Sequence, residues 1–375
     1  MKDLSGLRGS CARLALAATA TLAALSCSPD RSGPTGPGAS PSLARQAAQQ
    51  QGLATAIAAQ ERHNPQLLAM SGVAGTAVGF TADGHPAVLI FTQAAGVSGL
   101  PQSLDGVPVD VQVTGRFTAL PALQAPVVPE APPPGKSPGS SHGGHKVDPT
   151  TRFARPVPIG VSTGNAGECS AGTISARVRD ASGNAFALSN NHVYALENSA
   201  PIGSDVLQPG LYDTNCAFDA NNVLGTLAAF NTIDFSGGSN TIDAALAATT
   251  TANLGNATPV DGYGTPSSTT VSATIGQAVQ KYGRSSSLTA GSITGVNATI
   301  LVGYLSGTAT FTDQIVVQSK KPFIKAGDSG SLLVTDDVNA NPVGLLFAGN
   351  QNGSYAVANR IDLVLAYFGV SIDGK

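Results

Sequence analysis

Tryptophan is absent from this 375-residue chain, methionine occurs twice, and only 11% of residues are charged. An average globular chain is about a quarter charged. The lack of tryptophan argues against a carbohydrate-stacking platform. A net charge of −3 supplies neither a basic stripe for nucleic acid nor a polybasic face for an anionic membrane. The apolar run Leu14–Leu25 is too short for a comfortable bilayer span. Cysteines number 4, and Cys11 and Cys27 fall near the N-terminus. Cys169 and Cys216 have no C-x-x-C spacing and no second histidine close by, so no metal is expected.

Glycine, by contrast, reaches 44, and Thr, Ser, Val and Ala are frequent. That mixture suits an all-β exported protein of short strands and tight turns. Lys2, Arg8 and Arg13 precede the apolar run, which ends at Ser26 and Cys27, so residues 1–27 read as a secretory signal peptide. Two fates remain open at its end: A-L-S-C as a degenerate lipobox, with Cys27 carrying a lipid, or ordinary cleavage after Ala24-x-Ser26. Residues 28–42 form a Ser/Pro/Gly tether, as in lipoproteins. Export places Cys169 and Cys216 in an oxidising compartment, where an even pair reads as one disulfide bracketing His192.

Leu43 to Arg62 reads as a helix stopped by Asn64-Pro65. Val73–Phe80, Ala87–Thr92 and Val107–Val113 read as strands, with a hairpin at Asp83-Gly84. Residues 43–120 are thus expected to be a small α+β domain, a pro-region or accessory module outside the catalytic machinery. Residues 121–154 are Pro/Gly-rich and read as a linker, in which His142 and His145 are simply solvated. Residues 155–375 carry short apolar runs between turns, the spacing of a Greek-key barrel pair.

Lys325–Leu333 reads K-A-G-D-S-G-S-L-L. A serine hydroxyl attacks only when a base takes its proton, and the oxyanion it creates needs preplaced donors. Gly327 and Gly330 supply the sharp backbone path. Upstream, A-F-A-L-S-N-N-H-V carries His192 at the end of an alternating run, and N-T-I-D-A-A-L-A carries Asp243 before a small apolar strand. Taken singly, these are a Gly/Ser turn, a loop histidine and a strand-edge carboxylate. Their order, His, Asp, Ser, makes the joint coincidence unlikely. A fourth stretch, K-Y-G-R-S-S-S-L-T-A-G-S-I-T-G-V, spans Lys281–Val296.

Together these blocks resemble the chymotrypsin/trypsin-like serine peptidases, in particular secreted bacterial members, over roughly residues 157–372. The resemblance implies two six-stranded β-barrels with the site between them. It implies Ser329 as nucleophile, His192 as general base and Asp243 as its orienter, with an oxyanion hole from the Gly327 and Ser329 amides. No cofactor is needed, the substrate is a polypeptide, and the molecule is expected to be a monomer. I-V-G-G is missing, so a freshly cut N-terminal amine is not expected beside Asp328. A fixed basic side chain is expected there instead, Lys281 first and Arg284 second. Phe323, six residues before Ser329, together with Phe347 and Gly349 in G-L-L-F-A-G, points to an apolar or small primary pocket. A non-catalytic protease-like binding protein of the cell envelope, or an exported adhesion protein, stands as the alternative.

Overall fold

Runs of β-branched and small apolar residues, each broken after a few positions by Gly, Asn or Ser, favour strands over helices throughout the chain. The computed structural model describes residues 41–119, 122–123 and 146–375. The segment expected to be a signal peptide, Cys27 with its expected lipid, the tether up to residue 40 and the His142–His145 stretch lie outside the described residues. Residues Gln46–Lys375 cluster as one compact unit. It is mostly β, with an α+β region at its start.

One sheet runs through nine strands, in the order Val370–Ile372, Ala176–Asp180, Ala185–Ser189, Ala245–Thr249, Val223–Phe230, Asp205–Leu207, Ser162–Asn165, Ser170–Thr173 and Ala122–Leu123. In the other, the pairings return on themselves. Ala278–Gly283, Ser287–Gly303, Thr308–Gln318, Tyr355–Arg360, Pro342–Asn350 and Leu332–Thr335 form a closed circuit of six antiparallel strands. Closure leaves those strands without a free edge.

The upstream helix spans Pro41–Leu68, so it does not stop at Asn64-Pro65 as the sequence suggested. Tertiary contacts carry it past the proline. Asn64 accepts from Thr76 at 2.5 Å and donates to Thr299 at 3.0 Å, and Leu67 is buried beneath the last turn. Strands follow at Val73–Phe80, Pro86–Thr92 and Val107–Val113. The first pairs antiparallel with Ser287–Gly303, so the α+β region continues the closed sheet by hydrogen bonds. It also shares a core with that sheet. Phe91 meets Phe117 edge-on at 5.8 Å, and both pack in one cluster with Phe311, Phe347 and Tyr355.

A further strand, Phe117–Ala119, pairs with Pro342–Asn350. The stretch read as linker is also partly structured: Ala122–Leu123 pairs with Ser170–Ala171. Near its end the Val147 amide donates to Asp261 at 3.0 Å, and the Pro149 carbonyl accepts from Ser162 at 2.9 Å.

Candidate active site

Adjacent strands bring His192 to Asp243. Ala185–Ser189 pairs antiparallel with Ala245–Thr249, Ser189 lying opposite Ala245. The first strand ends in Asn190 and a single helical turn, Asn191–Tyr194, that carries His192. Asp243 sits just ahead of the second strand, so both side chains emerge at the same end. His192 Nδ1 lies 2.6 Å from Asp243 Oδ2, and the His192 amide donates to Oδ1 at 3.2 Å. The imidazole is 1% exposed and the carboxylate 0%. His192 Nε2 has no hydrogen-bond partner among the described residues. Its other nitrogen engaged by a carboxylate, the ring offers Nε2 for proton transfer.

Three residues that sequence motifs do not single out fix Asp243. Tyr304 Oη donates to Oδ2 at 2.8 Å, and its ring stands edge-on to His192 at 5.8 Å. Asn359 Oδ1 accepts from the Asp243 amide at 2.9 Å, and Asn190 Nδ2 donates to its carbonyl at 2.7 Å. Burial, and then the Asp243 charge, raise the Tyr304 pKa well above that of an ordinary phenol, so the hydroxyl remains a donor. A hydrogen bond to a charged group contributes about 1.5–3 kcal/mol. Tyr304→Phe is expected to lower kcat about tenfold or more by loosening the imidazole, with KM little changed. Steady-state kinetics check this, and an unaltered kcat rules the role out.

Ser329 lies in a loop bent at two glycines, Gly327 at φ +92° and Gly330 at φ +95°. A Cβ at Gly330 would stand 2.2 Å from the Thr173 carbonyl oxygen, so the chain passes there only without a side chain. The Ser329 carbonyl accepts from the Thr173 amide at 2.8 Å, and the Gly330 amide donates to Leu346 at 2.8 Å. Gly172 has both the Val193 side chain and the Ser329 carbonyl as close neighbours, so the histidine turn and the serine loop abut across one strand. The Ser329 hydroxyl donates to the Phe347 carbonyl at 3.3 Å rather than to His192. Neither the Gly327 nor the Ser329 amide has an acceptor among the described residues.

Asp328 is completely buried and ringed by donors. The amides of Ser285 and Ser286 approach Oδ1 at 2.8 and 3.1 Å, and the Lys325 amide reaches Oδ2 at 2.9 Å. Lys281 Nζ lies 3.1 Å from Oδ2, both side chains at 0% exposure, and also donates to Ser286 Oγ. Burial lowers the Lys281 pKa, and the Asp328 charge opposes that shift. The structure therefore brings Lys281 to Asp328. Arg284 turns away to Asp213, with its guanidinium 4.9 Å from the Tyr212 ring centre.

The pocket residues fall differently from expectation. Phe323 is buried in the barrel core with Val279, Ile293 and Val317, and Phe347 packs in the aromatic cluster around Phe311. Both rings pack in the core. Phe347 contributes its carbonyl, and Gly349 pairs with Thr118. A cavity of about 850 Å³ lies between the upstream region and the serine loop, bordered by Gln93, Arg116, Thr118, Ile324, Lys325 and Asn350.

Cys169 and Cys216 form a disulfide. It ties the start of Ser170–Thr173 to the loop after Leu211–Thr214. Among the described residues no group of acidic, histidine or cysteine side chains could hold a metal, and no helix is long and apolar enough to cross a membrane.

The family model of the Nal1 C-terminal domain matches residues 228–362. No curated protein matches the chain. Among solved structures, similarity extends to a glutamic acid specific serine protease, at 18% identity and a TM-score of 0.42, over 58% of this chain and 100% of that one. Thermobifida fusca Protease A is similar at 19% identity and a TM-score of 0.42, over 58% of this chain and 99% of its own. Cellulomonas bogoriensis chymotrypsin is similar at 20% identity and a TM-score of 0.40, over 58% and 99%.

Proposed function

We propose that this chain is an exported serine endopeptidase of the chymotrypsin-like kind, acting on polypeptides as a monomer without a cofactor. The observation that carries the reading is the buried His192–Asp243 pair, 2.6 Å apart with Nε2 unpaired, its histidine turn abutting the Ser329 loop across the strand Ser170–Thr173. Ser329 Oγ attacks the substrate carbonyl while His192 Nε2 takes its proton. Asp243, held by Tyr304 and Asn359, fixes the tautomer and stabilises the imidazolium. The Gly327 and Ser329 amides receive the oxyanion. His192 then returns the proton to the leaving amine, and water repeats the sequence to release the acyl group. Lys281 and Asp328 hold the serine loop in shape. The Cys169–Cys216 bond supports an oxidising compartment, periplasmic or extracellular, with a lipid on Cys27 as the means of retention.

The second reading is a non-catalytic protease-like binding protein of the envelope. What favours it is the Ser329 hydroxyl turned to the Phe347 carbonyl. Mass-spectrometric profiling of a peptide library with purified protein whose cleft is open to solvent decides between the two. The expected result is a set of cuts sharing one residue preference at the cleaved bond and abolished by a fluorophosphonate. A library left intact by protein whose cleft is open to solvent supports the binding reading.

A further inference from the structure

The two walls beside Ser329 already carry an extended peptide. One wall is Pro342–Asn350, whose Leu346 and Phe347 carbonyls accept from the Gly330 amide and the Ser329 hydroxyl. The other is Ser170–Thr173, whose Thr173 amide donates to the Ser329 carbonyl. The chain's own strand Phe117–Ala119 lies antiparallel on the first wall, with Ala119 opposite Ala348, Thr118 opposite Gly349 and Phe117 opposite Asn350. Ala122–Leu123 lies antiparallel on the second, with Ala122 opposite Ala171 and Leu123 opposite Ser170. The pairings thus begin one residue beyond Phe347 on one side of the serine and two residues before Thr173 on the other. Only Leu120 and Pro121 separate these strands in sequence.

An edge that accepts an added strand is also how a protease holds an extended peptide, main chain to main chain. A second observation agrees. Ser329 is 0% exposed and His192 2%, so neither reacting group meets solvent. A site that must receive an outside polypeptide is closed here.

We propose that the strands Phe117–Ala119 and Ala122–Leu123 act together as an intramolecular strap on the two walls of the peptide-binding cleft, so that the full chain is held inactive until the strap leaves. This deepens the endopeptidase reading and rests on it for the identity of the site. The strap also describes the ligand class: an extended segment with small residues such as Thr118 and Ala119 on the acyl side. Tethering keeps it at an effective concentration on the order of millimolar, above that of most competing peptides.

The test compares the full chain with a variant whose residues 118–123 are replaced by Gly and Ser, leaving the core residue Phe117 in place. Hydrogen exchange is followed in peptides covering Ala348–Asn350 and Ser170–Ala171, and fluorophosphonate labelling is followed at Ser329. Faster exchange on both walls is expected in the variant, with labelling about tenfold faster or more once the tethered competitor is gone. Unchanged exchange on both walls overturns the strap. Faster exchange without labelling in either protein upholds the strap and removes the endopeptidase reading, so the two fail separately. Exchange in Thr308–Gln318 reports whether the fold survives. Should it not, Ala122→Pro, which takes one N–H from the strand facing Ser170–Ala171, gives the same comparison.

Discussion

Ser329→Ala is expected to lower kcat by a factor on the order of 10⁶ while leaving the fold intact. The hydroxyl makes a single long hydrogen bond, 3.3 Å to the Phe347 carbonyl, so little stability goes with it. Backbone bonds hold the loop on both sides, from Thr173 to the Ser329 carbonyl and from Gly330 to Leu346. Alanine fits the same backbone, and the oxyanion donors stay where they are. Residual hydrolysis then reports the amides and substrate binding alone. The comparison is made on a peptide taken from the library profile, with the strap replaced in both proteins, and thermal melts confirm equal stability. Undiminished turnover in Ser329→Ala sinks the nucleophile assignment.

Lys281→Met has the next largest expected effect. The buried Asp328 carboxylate would keep its amide donors from Ser285, Ser286 and Lys325 but lose the one cation it meets among the described residues. Removing one partner of a buried ion pair costs about 3–5 kcal/mol, because the survivor is left charged and desolvated. Asp328 sits between the two oxyanion amides in sequence, so the strain reaches the chemistry, and stability and turnover should fall together. Adding Asp328→Asn removes the stranded charge and should recover part of the stability, the sign of a coupled pair. Denaturant unfolding of the two single variants and the double variant measures this. A Lys281→Met protein as stable as the parent refutes the support role.

The His192–Asp243 and Lys281–Asp328 pairs were legible because each residue sits in a short stretch whose residue types answer one local need. G-D-S-G needs glycine at positive φ, and K-Y-G-R-S-S-S delivers Lys281 and two serine amides to one carboxylate. Tyr304 and Asn359 were not legible. Each reaches Asp243 from a strand end far along the chain, and V-G-Y-L-S-G has no pattern that marks its tyrosine as a donor to a carboxylate. Phe323 and Phe347 were read as pocket residues from their places in the motifs, and a place in a motif says nothing of whether a ring turns into the core. The strands Phe117–Ala119 and Ala122–Leu123 escaped notice for a different reason: each is two or three residues long and gains strand form only by pairing with strands far along the chain. Asn64-Pro65 is a strong stop signal locally, overridden by the contacts of Asn64 with Thr76 and Thr299.

The pairing of Val73–Phe80 with Ser287–Gly303 bears on the order in which the molecule assembles. Gly75 meets Ile300 across most of the chain's length, and a loop that long must be closed before the contact returns anything. Both partners are built locally beforehand, one as a helix packed on a hairpin, the other as the long hairpin of Ser287–Gly303 with Thr308–Gln318. The upstream helix and hairpin would then stand as a finished template, and the later hairpin would dock onto a ready edge instead of searching for one. Nucleation at that seam would make the folding rate, more than the final stability, the quantity most sensitive to changes in Val73–Phe80.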